Sequence, residues 1–319
     1  MTETTQNRGA DTSLRTPLLF LIPVLFAAIG FAVLGASIDT TAVAQSATST
    51  NTIDQFASTT IRANAAIVVD LVSGKTLYEK NADVQLPLAS LTKVPLVLAT
   101  SEVLKLEDMV TIPYSVVGAG GSESLIEGET WRTKDIVDFT LISSSNSGAE
   151  ILAALANDAL RTRYPNAPHD SATLWRMNDI AHDLDLTHTY FLNVSGLDLS
   201  TTLAGAYGSA RDVARLYAYA ASSEPSLFSA TARDGILLTS NEGGTRNAFN
   251  TNIAQGAIAG LIMGKTGTTD LAGGNLAIVF DVGLSHPVVA VVLGSTESGR
   301  FEDIQKLIEG VHLTITGDL

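Results

Sequence analysis

"PLASLTKVPLVL", Pro87 to Leu98, places a serine at the head of an apolar helical run and a lysine three residues later. Positions i and i+3 of a helix share a face. Ser90 and Lys93 therefore stand together, near the positive end of the helix dipole. An amine against a hydroxyl at a helix start is either a cap with a solvated charge or a nucleophile beside its base. Pro95 lies inside the run and lacks a backbone donor. That predicts a helix proper beginning after Ser90, with Ser90 to Lys93 in a 3₁₀-like first turn.

Outward from this stretch, "AAIVVD" and "KTLYEKN" read as two short strands joined by the turn Asp70 to Gly74. The Ser90 helix is expected to reach about Leu104, and "MVTIPY" to be a further strand. Helical spacing of apolar residues marks "TKDIVDFTLISSS", "NSGAEILAALAND", "SATLWRMNDIAHDL" and "ARDVARLYAYAAS". Near the C-terminus, "GLIMGKTGTT", "GGNLAIVFDVG" and "PVVAVVLGST" are apolar strands broken by Gly and Pro, and "FEDIQKLIEGVHL" is an amphipathic closing helix. Strands at both ends with helices between them predict one sheet built from both termini. The short connections of the last strands fit antiparallel pairing.

Two more short motifs complete the picture. Ser144-Ser145-Asn146 sits in a loop between two predicted helices, whereas a second Ser-x-Asn, Ser49 to Asn51, falls in a polar stretch and is read as incidental. Lys265-Thr266-Gly267 opens an apolar strand. Each motif alone is a weak signal. In this order and these settings they form the set of the serine β-lactamases and penicillin-binding proteins. From about Arg62 to Leu313 the chain resembles the serine-type D-alanyl-D-alanine carboxypeptidases, the low-molecular-weight penicillin-binding proteins. "AAIVVDLVSGKTLYEKNADVQLPLASLTK", "YFLNVSGLD", "YGSARDVARL" and "GKTGTTDLAGGNLA" carry the likeness beside the motifs. The resemblance implies a mixed α/β, β-lactamase/transpeptidase-like fold. Its antiparallel sheet is flanked by helices, beside an all-helical lobe, with the site in the crevice between them.

A free hydroxyl needs an adjacent base to act as a nucleophile. Ser90 is thus the expected nucleophile and Lys93 the base, provided that burial or a second cation such as Lys265 keeps it neutral. By the resemblance, Ser144 relays a proton to the leaving amine and Asn146 holds Lys93 and the substrate amide. The N–H groups of Ser90 and Thr268 make an oxyanion hole. Thr266 and Lys265 bind the terminal carboxylate, and the edge of the Lys-Thr-Gly strand pairs with the substrate. Arg246 is a further candidate for that carboxylate. The implied substrate is a peptidoglycan stem peptide ending in D-Ala-D-Ala, with β-lactams as inhibitors. One departure from the family is Ser147-Gly148 after Asn146, where Asp-Ala is usual.

Composition narrows the alternatives. Of 319 residues, 45% are hydrophobic, and the net charge is −14. The acidic balance, with a pI of about 4.6, leaves no basic face for nucleic acid and disfavours general adhesion to anionic lipid. The chain has no cysteine, which excludes disulfides and thiolate sites. Its five histidines show no metal-ligand spacing, and no G-x-S-x-G elbow or P-loop occurs. No metal or cofactor is expected.

From Thr16 to Ile38 no residue is charged, Arg8 and Arg15 precede this run, and the next basic residue is Arg62. A helix of that length, roughly 35 Å, spans a bilayer. The positive-inside rule then puts residues 1–16 in the cytoplasm, 17–38 in the membrane and the rest outside. An uncleaved anchor is expected; Ala42-Val43-Ala44 is the alternative, a signal-peptidase site. Residues 39–60 read as a flexible tether and 61–319 as the penicillin-recognising domain at the outer face of the membrane. The resemblance includes neither the family's frequent second, β-rich domain nor its C-terminal membrane helix, so the N-terminal segment is the expected anchor.

Three rivals remain. A class A-like β-lactamase shares the fold and uses a glutamate-activated water, but no glutamate lies between Glu150 and Glu224. A D,D-endopeptidase uses the same residues. A non-catalytic peptidoglycan binder needs no Ser–Lys pair.

Overall fold

Runs of Val, Ile and Leu without polar alternation demand apolar cover on both faces of a sheet. The computed structural model, which describes residues 55–114 and 125–316, provides it. Five strands carry the runs: β1 (Ala65–Asp70), β2 (Thr76–Lys80), β3 (Leu261–Thr269), β4 (Gly273–Asp281) and β5 (Pro287–Ser295). They form one antiparallel sheet in the order β3-β4-β5-β1-β2, so the two ends of the chain meet where β1 pairs with β5. Successive side chains alternate faces. Ile67, opposite Val291, joins a core shared with the helical lobe. Val68, opposite Ala290, joins a second core on the other face.

Among the described residues the six longer helices are α1 (Lys93–Ser101), α2 (Thr133–Ile142), α3 (Asn146–Arg163), α4 (Ala172–Asp183), α5 (Ala210–Ser223) and α6 (Gly299–Thr316). Ile304, Leu307 and Val311 of α6 cover the second core. The first helix ends at Ser101, short of Leu104, and "MVTIPY" pairs only over Met109–Thr111.

One boundary needs correction. Phe56, inside the stretch read as tether, is buried, with its ring centroid 5.2 Å from that of Tyr78. A Cβ at Gly310 would overlap the Phe56 ring, so this residue has a made-to-measure seat on α6. The backbone N–H groups of Arg62 and Ala63 each donate to buried Asp303 at 2.9 Å. The packed body therefore includes Phe56, and composition missed it because one aromatic among small polar residues has no periodicity. The expected span at 17–38 and the tether up to residue 54 lie outside the described residues. Among the described residues, no helix is long and apolar enough to cross a membrane.

The nucleophile segment bends as Pro95 predicts. Ala89–Thr92 form a 3₁₀ turn, and α1 starts at Lys93. Pro95 is then the third residue of α1, where the N–H has no intrahelical acceptor and its loss costs nothing. The turn is clamped between two glycines. A Cβ at Gly267 of β3 would sit 2.8 Å from Leu88 O and 3.2 Å from Ser90 N. Gly196, at φ +82°, packs so closely that a Cβ would overlap Ala89 O.

Candidate active site

Lys93 is fully buried, and its Nζ lies 2.8 Å from each of Ser90 Oγ, Asn146 Oδ1 and Ser195 O. A neutral amine has two N–H donors and one lone pair. Asn146 Oδ1 and Ser195 O are pure acceptors, so they take both donors. The lone pair is left facing Ser90, whose hydroxyl donates to it. Burial favours this neutral form and pushes Lys93 down to about 7, with the Glu150 carboxylate pulling the other way. The geometry of a hydroxyl activated by an amine is complete.

A second amine faces a second serine. Lys265 Nζ donates to Ser144 Oγ at 2.7 Å and to Thr266 O at 2.8 Å. Its pKa is pushed well below the usual lysine value by burial first, then by the charges of Lys93 and Arg300. Ser144 (φ +58°) and Ala89 (φ +49°), which precedes Ser90, hold left-handed backbone. Such strain costs on the order of 1–3 kcal/mol at each residue and persists only where the surroundings impose it.

Asn146 is aimed by the start of α3, where the Ser145 hydroxyl caps the helix by accepting from Gly148 N at 3.0 Å. The unusual Gly148 has a local cause. Thr140 Oγ1, donating to Ile136 O at 2.7 Å, occupies the space that a Cβ at 148 would need.

Ser90, Ser144, Asn146, Thr266 and Thr268 line one cleft of about 590 Å³. β3 is an edge strand of the sheet, so its outer side, beside this cleft, has no strand partner. Thr266 Oγ1 lies 2.6 Å from Thr251 Oγ1. Lys265 is 2% exposed and its amine is engaged with Ser144, so it sits behind the cleft wall rather than in the opening.

Arg246 is a correction. It lies against Glu129, 3.2 Å away, and over the ring of Trp131, and is not part of the cleft. The cation in the cleft is Arg300, which the motifs did not flag. Only 5% exposed, it donates to Gly267 O at 2.9 Å and to Thr268 Oγ1. Its Nε has no hydrogen-bond partner, and the charge of Glu297, which lines the same cleft, acts on it. One sequence signal pointed there: Arg300 is the second residue of α6. A cation at a helix N-terminus opposes the dipole and needs a reason to be there.

A family model described as D-alanyl-D-alanine carboxypeptidase, peptidase S11, matches residues 50–297. The D-alanyl-D-alanine carboxypeptidase DacC of Escherichia coli is 30% identical over 263 residues, 78% of this chain and 60% of its own length. A D-alanyl-D-alanine endopeptidase of Pseudomonas aeruginosa is 29% identical over 160 residues, 49% of this chain and 46% of its own. Penicillin-binding protein D2 of Listeria monocytogenes, in its cefotaxime-bound form, superposes with a TM-score of 0.66 at 27% identity, covering 79% of this chain and 98% of that one. The chain thus spans about 60% of the length of the curated carboxypeptidase it matches. With its motifs, fold and site geometry in agreement, the chain belongs to the peptidase S11 family of D-alanyl-D-alanine carboxypeptidases.

Proposed function

We propose that the protein is a serine D,D-carboxypeptidase that removes the terminal D-alanine from peptidoglycan stem peptides. The observation that carries this reading is the pairing of two buried lysines with two serine hydroxyls across one cleft. Ser90 Oγ attacks the carbonyl of the penultimate D-alanine while its proton passes to Lys93. The N–H groups of Ser90 and Thr268 hold the oxyanion. The C–N bond then breaks as Lys93 passes that proton through Ser144, backed by Lys265, to the leaving amine, which returns Lys93 to its neutral form. Water attacks the ester and gives a proton to Lys93, and Lys93 hands it to Ser90 Oγ as the ester C–O bond breaks. The terminal carboxylate is held by Thr266, Thr268 and Arg300; Lys265 contributes through its field behind them. β-Lactams acylate the same Ser90. Residues 17–38 anchor the chain and set the cleft in the cell envelope, a reading that rests on the sequence alone.

Cleavage of cross-links is the second reading, favoured by the likeness to the Pseudomonas endopeptidase. Intact-mass analysis with benzylpenicillin and amino-acid analysis of a digested D-Ala-D-Ala peptide test the proposal. Adduct formation lost in Ser90→Ala, with D-alanine released by the parent, is the expected result. Labelling that survives Ser90→Ala, or release from cross-linked dimers but not from the linear peptide, overturns it.

A further inference from the structure

The loop that carries Ser195 continues to Asp198, and the carboxylate of Asp198 reaches across to the sheet. Its Oδ1 accepts from Thr269 Oγ1 at 2.9 Å, and its Oδ2 accepts from Leu271 N at 3.1 Å. Thr269 Oγ1 in turn accepts from Ala272 N at 3.2 Å, which closes the turn between β3 and β4. No basic side chain pairs with Asp198 among the described residues, so its two oxygens are committed to this turn.

Two features make the link consequential. The loop is fixed to the nucleophile's surroundings: Ser195 O accepts from Lys93, Gly196 N donates to Asn193 Oδ1 at 2.7 Å, and Asn193 Nδ2 donates to Leu197 O at 2.8 Å. The end of β3, by contrast, has a strand partner on one side only: its pairing with β4 ends at Thr269 opposite Gly273. Beyond that pairing Arg300 holds Gly267 O and Thr268 Oγ1, and the side-chain bond that holds Thr269 comes from Asp198. Thr268, with the N–H that the reaction needs in place before charge develops, immediately precedes Thr269.

We propose that Asp198 is a positioning residue for acyl transfer, tying the loop that orients Lys93 to the strand end that supplies the Thr268 N–H. This rests on the serine acyl-transfer reading above. Base and oxyanion hole then share one brace, so the distance between them is fixed by a carboxylate that touches neither substrate nor nucleophile. Oxyanion donors work by being aimed beforehand, and removing one costs about 10²–10³ in kcat. Loosening one costs part of that.

The test compares the parent with Asp198→Ala, Thr269→Val and the double variant, using stopped-flow acylation by benzylpenicillin. The rate constant of acylation is expected to fall at least about tenfold in each single variant. The constant for non-covalent binding stays within about threefold. The double variant is no slower than the slower single one, because both changes break the same link. The acid limb of the rate profile stays at the parent's pH, since every neighbour of Lys93 is kept. Thr269→Val retains the acid and serves as the reading if Asp198→Ala does not fold. Acylation within about threefold of the parent in the folded variants, additive losses, or a loss confined to binding overturns the proposal. A parent that acylates but releases no D-alanine defeats the carboxypeptidase reading and leaves this one standing.

Discussion

Lys93 and Lys265 are both buried at one cleft, each with its amine on a different serine hydroxyl, and a charge on Lys93 disfavours a charge on Lys265. A proton on either amine therefore has consequences for both halves of the reaction.

The first consequence is a pH profile. A lysine held near 7 is a base above that pH and an acid below it. Acylation of Ser90 should be flat above about pH 8 and fall as pH drops through about 7, tenfold per unit at the limit, because only the deprotonated amine accepts the serine proton. Lys93→Arg should be inactive throughout, since guanidinium does not deprotonate in this range. Stopped-flow acylation from about pH 5 to 9 checks this. A profile flat down to about pH 5, or an active Lys93→Arg, would assign the base to another group.

Glu150 tunes that limb. It lies one helical turn after Asn146 on α3, so the two share a face, and its carboxylate raises the Lys93 pKa. At Lys93 burial pushes down and the Glu150 charge pushes up. Glu150→Gln removes that opposing charge. The acid limb should move to lower pH, giving faster acylation than the parent at about pH 6 and an unchanged plateau above about pH 8. Movement to higher pH would mean that another effect of Glu150 dominates.

Much of this was legible beforehand, and the exceptions have physical causes. The sheet built from both chain ends announced itself through apolar runs separated by short Gly-rich connections, and Pro95 announced the 3₁₀ turn at Ser90. Motif residues Ser90 and Asn146 meet Lys93, and Ser144 meets Lys265, at hydrogen-bond distance because each is set by local backbone: a turn, a cap, a left-handed residue. Arg300 was hidden because its role depends on where α6 docks against β3, a contact between segments about 30 residues apart that no local pattern encodes. The role of Arg246 stayed open in the sequence for the same reason: Glu129, its ion-pair partner in space, is 117 positions away. Gly148 looked like a loss of the family pattern and proves to be packing compensation for Thr140.

Arg300 makes a prediction about what the substrate must carry. A charge-assisted hydrogen bond contributes about 1.5–3 kcal/mol, so Arg300→Ala should lower kcat/KM for a D-Ala-D-Ala peptide by about 10- to 150-fold. Amidating the peptide's terminal carboxylate should cost the parent a similar factor and the variant little more, because the same contact is removed from the other side. Steady-state assays of both peptides on both proteins decide. Equal penalties from amidation in parent and variant would separate Arg300 from the carboxylate.

The last prediction concerns the fate of the ester on Ser90. A D-Ala-D-Ala peptide and penicillin both form it, so labelling alone does not distinguish a carboxypeptidase from a β-lactamase. In the first case D-alanine departs, and the space it leaves admits water to Lys93, whose lone pair is again free once its proton has moved on through the cleft. In the second, the opened thiazolidine stays attached and occupies that space. A second route would need a carboxylate aimed at the ester from another direction, as in enzymes that use a glutamate-activated water. Among the described residues the carboxylate lining the cleft is Glu297, which stands on the Arg300 side and acts on that guanidinium, while Asp198 of the loop 193–198 is engaged with Thr269 and Leu271. Turnover of the peptide is therefore expected together with a penicillin adduct of one intact drug mass that persists for minutes to hours. Each tenfold difference in deacylation corresponds to about 1.4 kcal/mol of barrier, so a contrast of about 10⁴ asks for roughly 5–6 kcal/mol. The absence of an activated water can supply that much, since general-base assistance alone is worth about 10²–10⁴. Time-resolved mass spectrometry of the adduct, run beside D-alanine release, measures both numbers on one preparation. Rapid multiple-turnover hydrolysis of penicillin without D-alanine release would reverse the assignment.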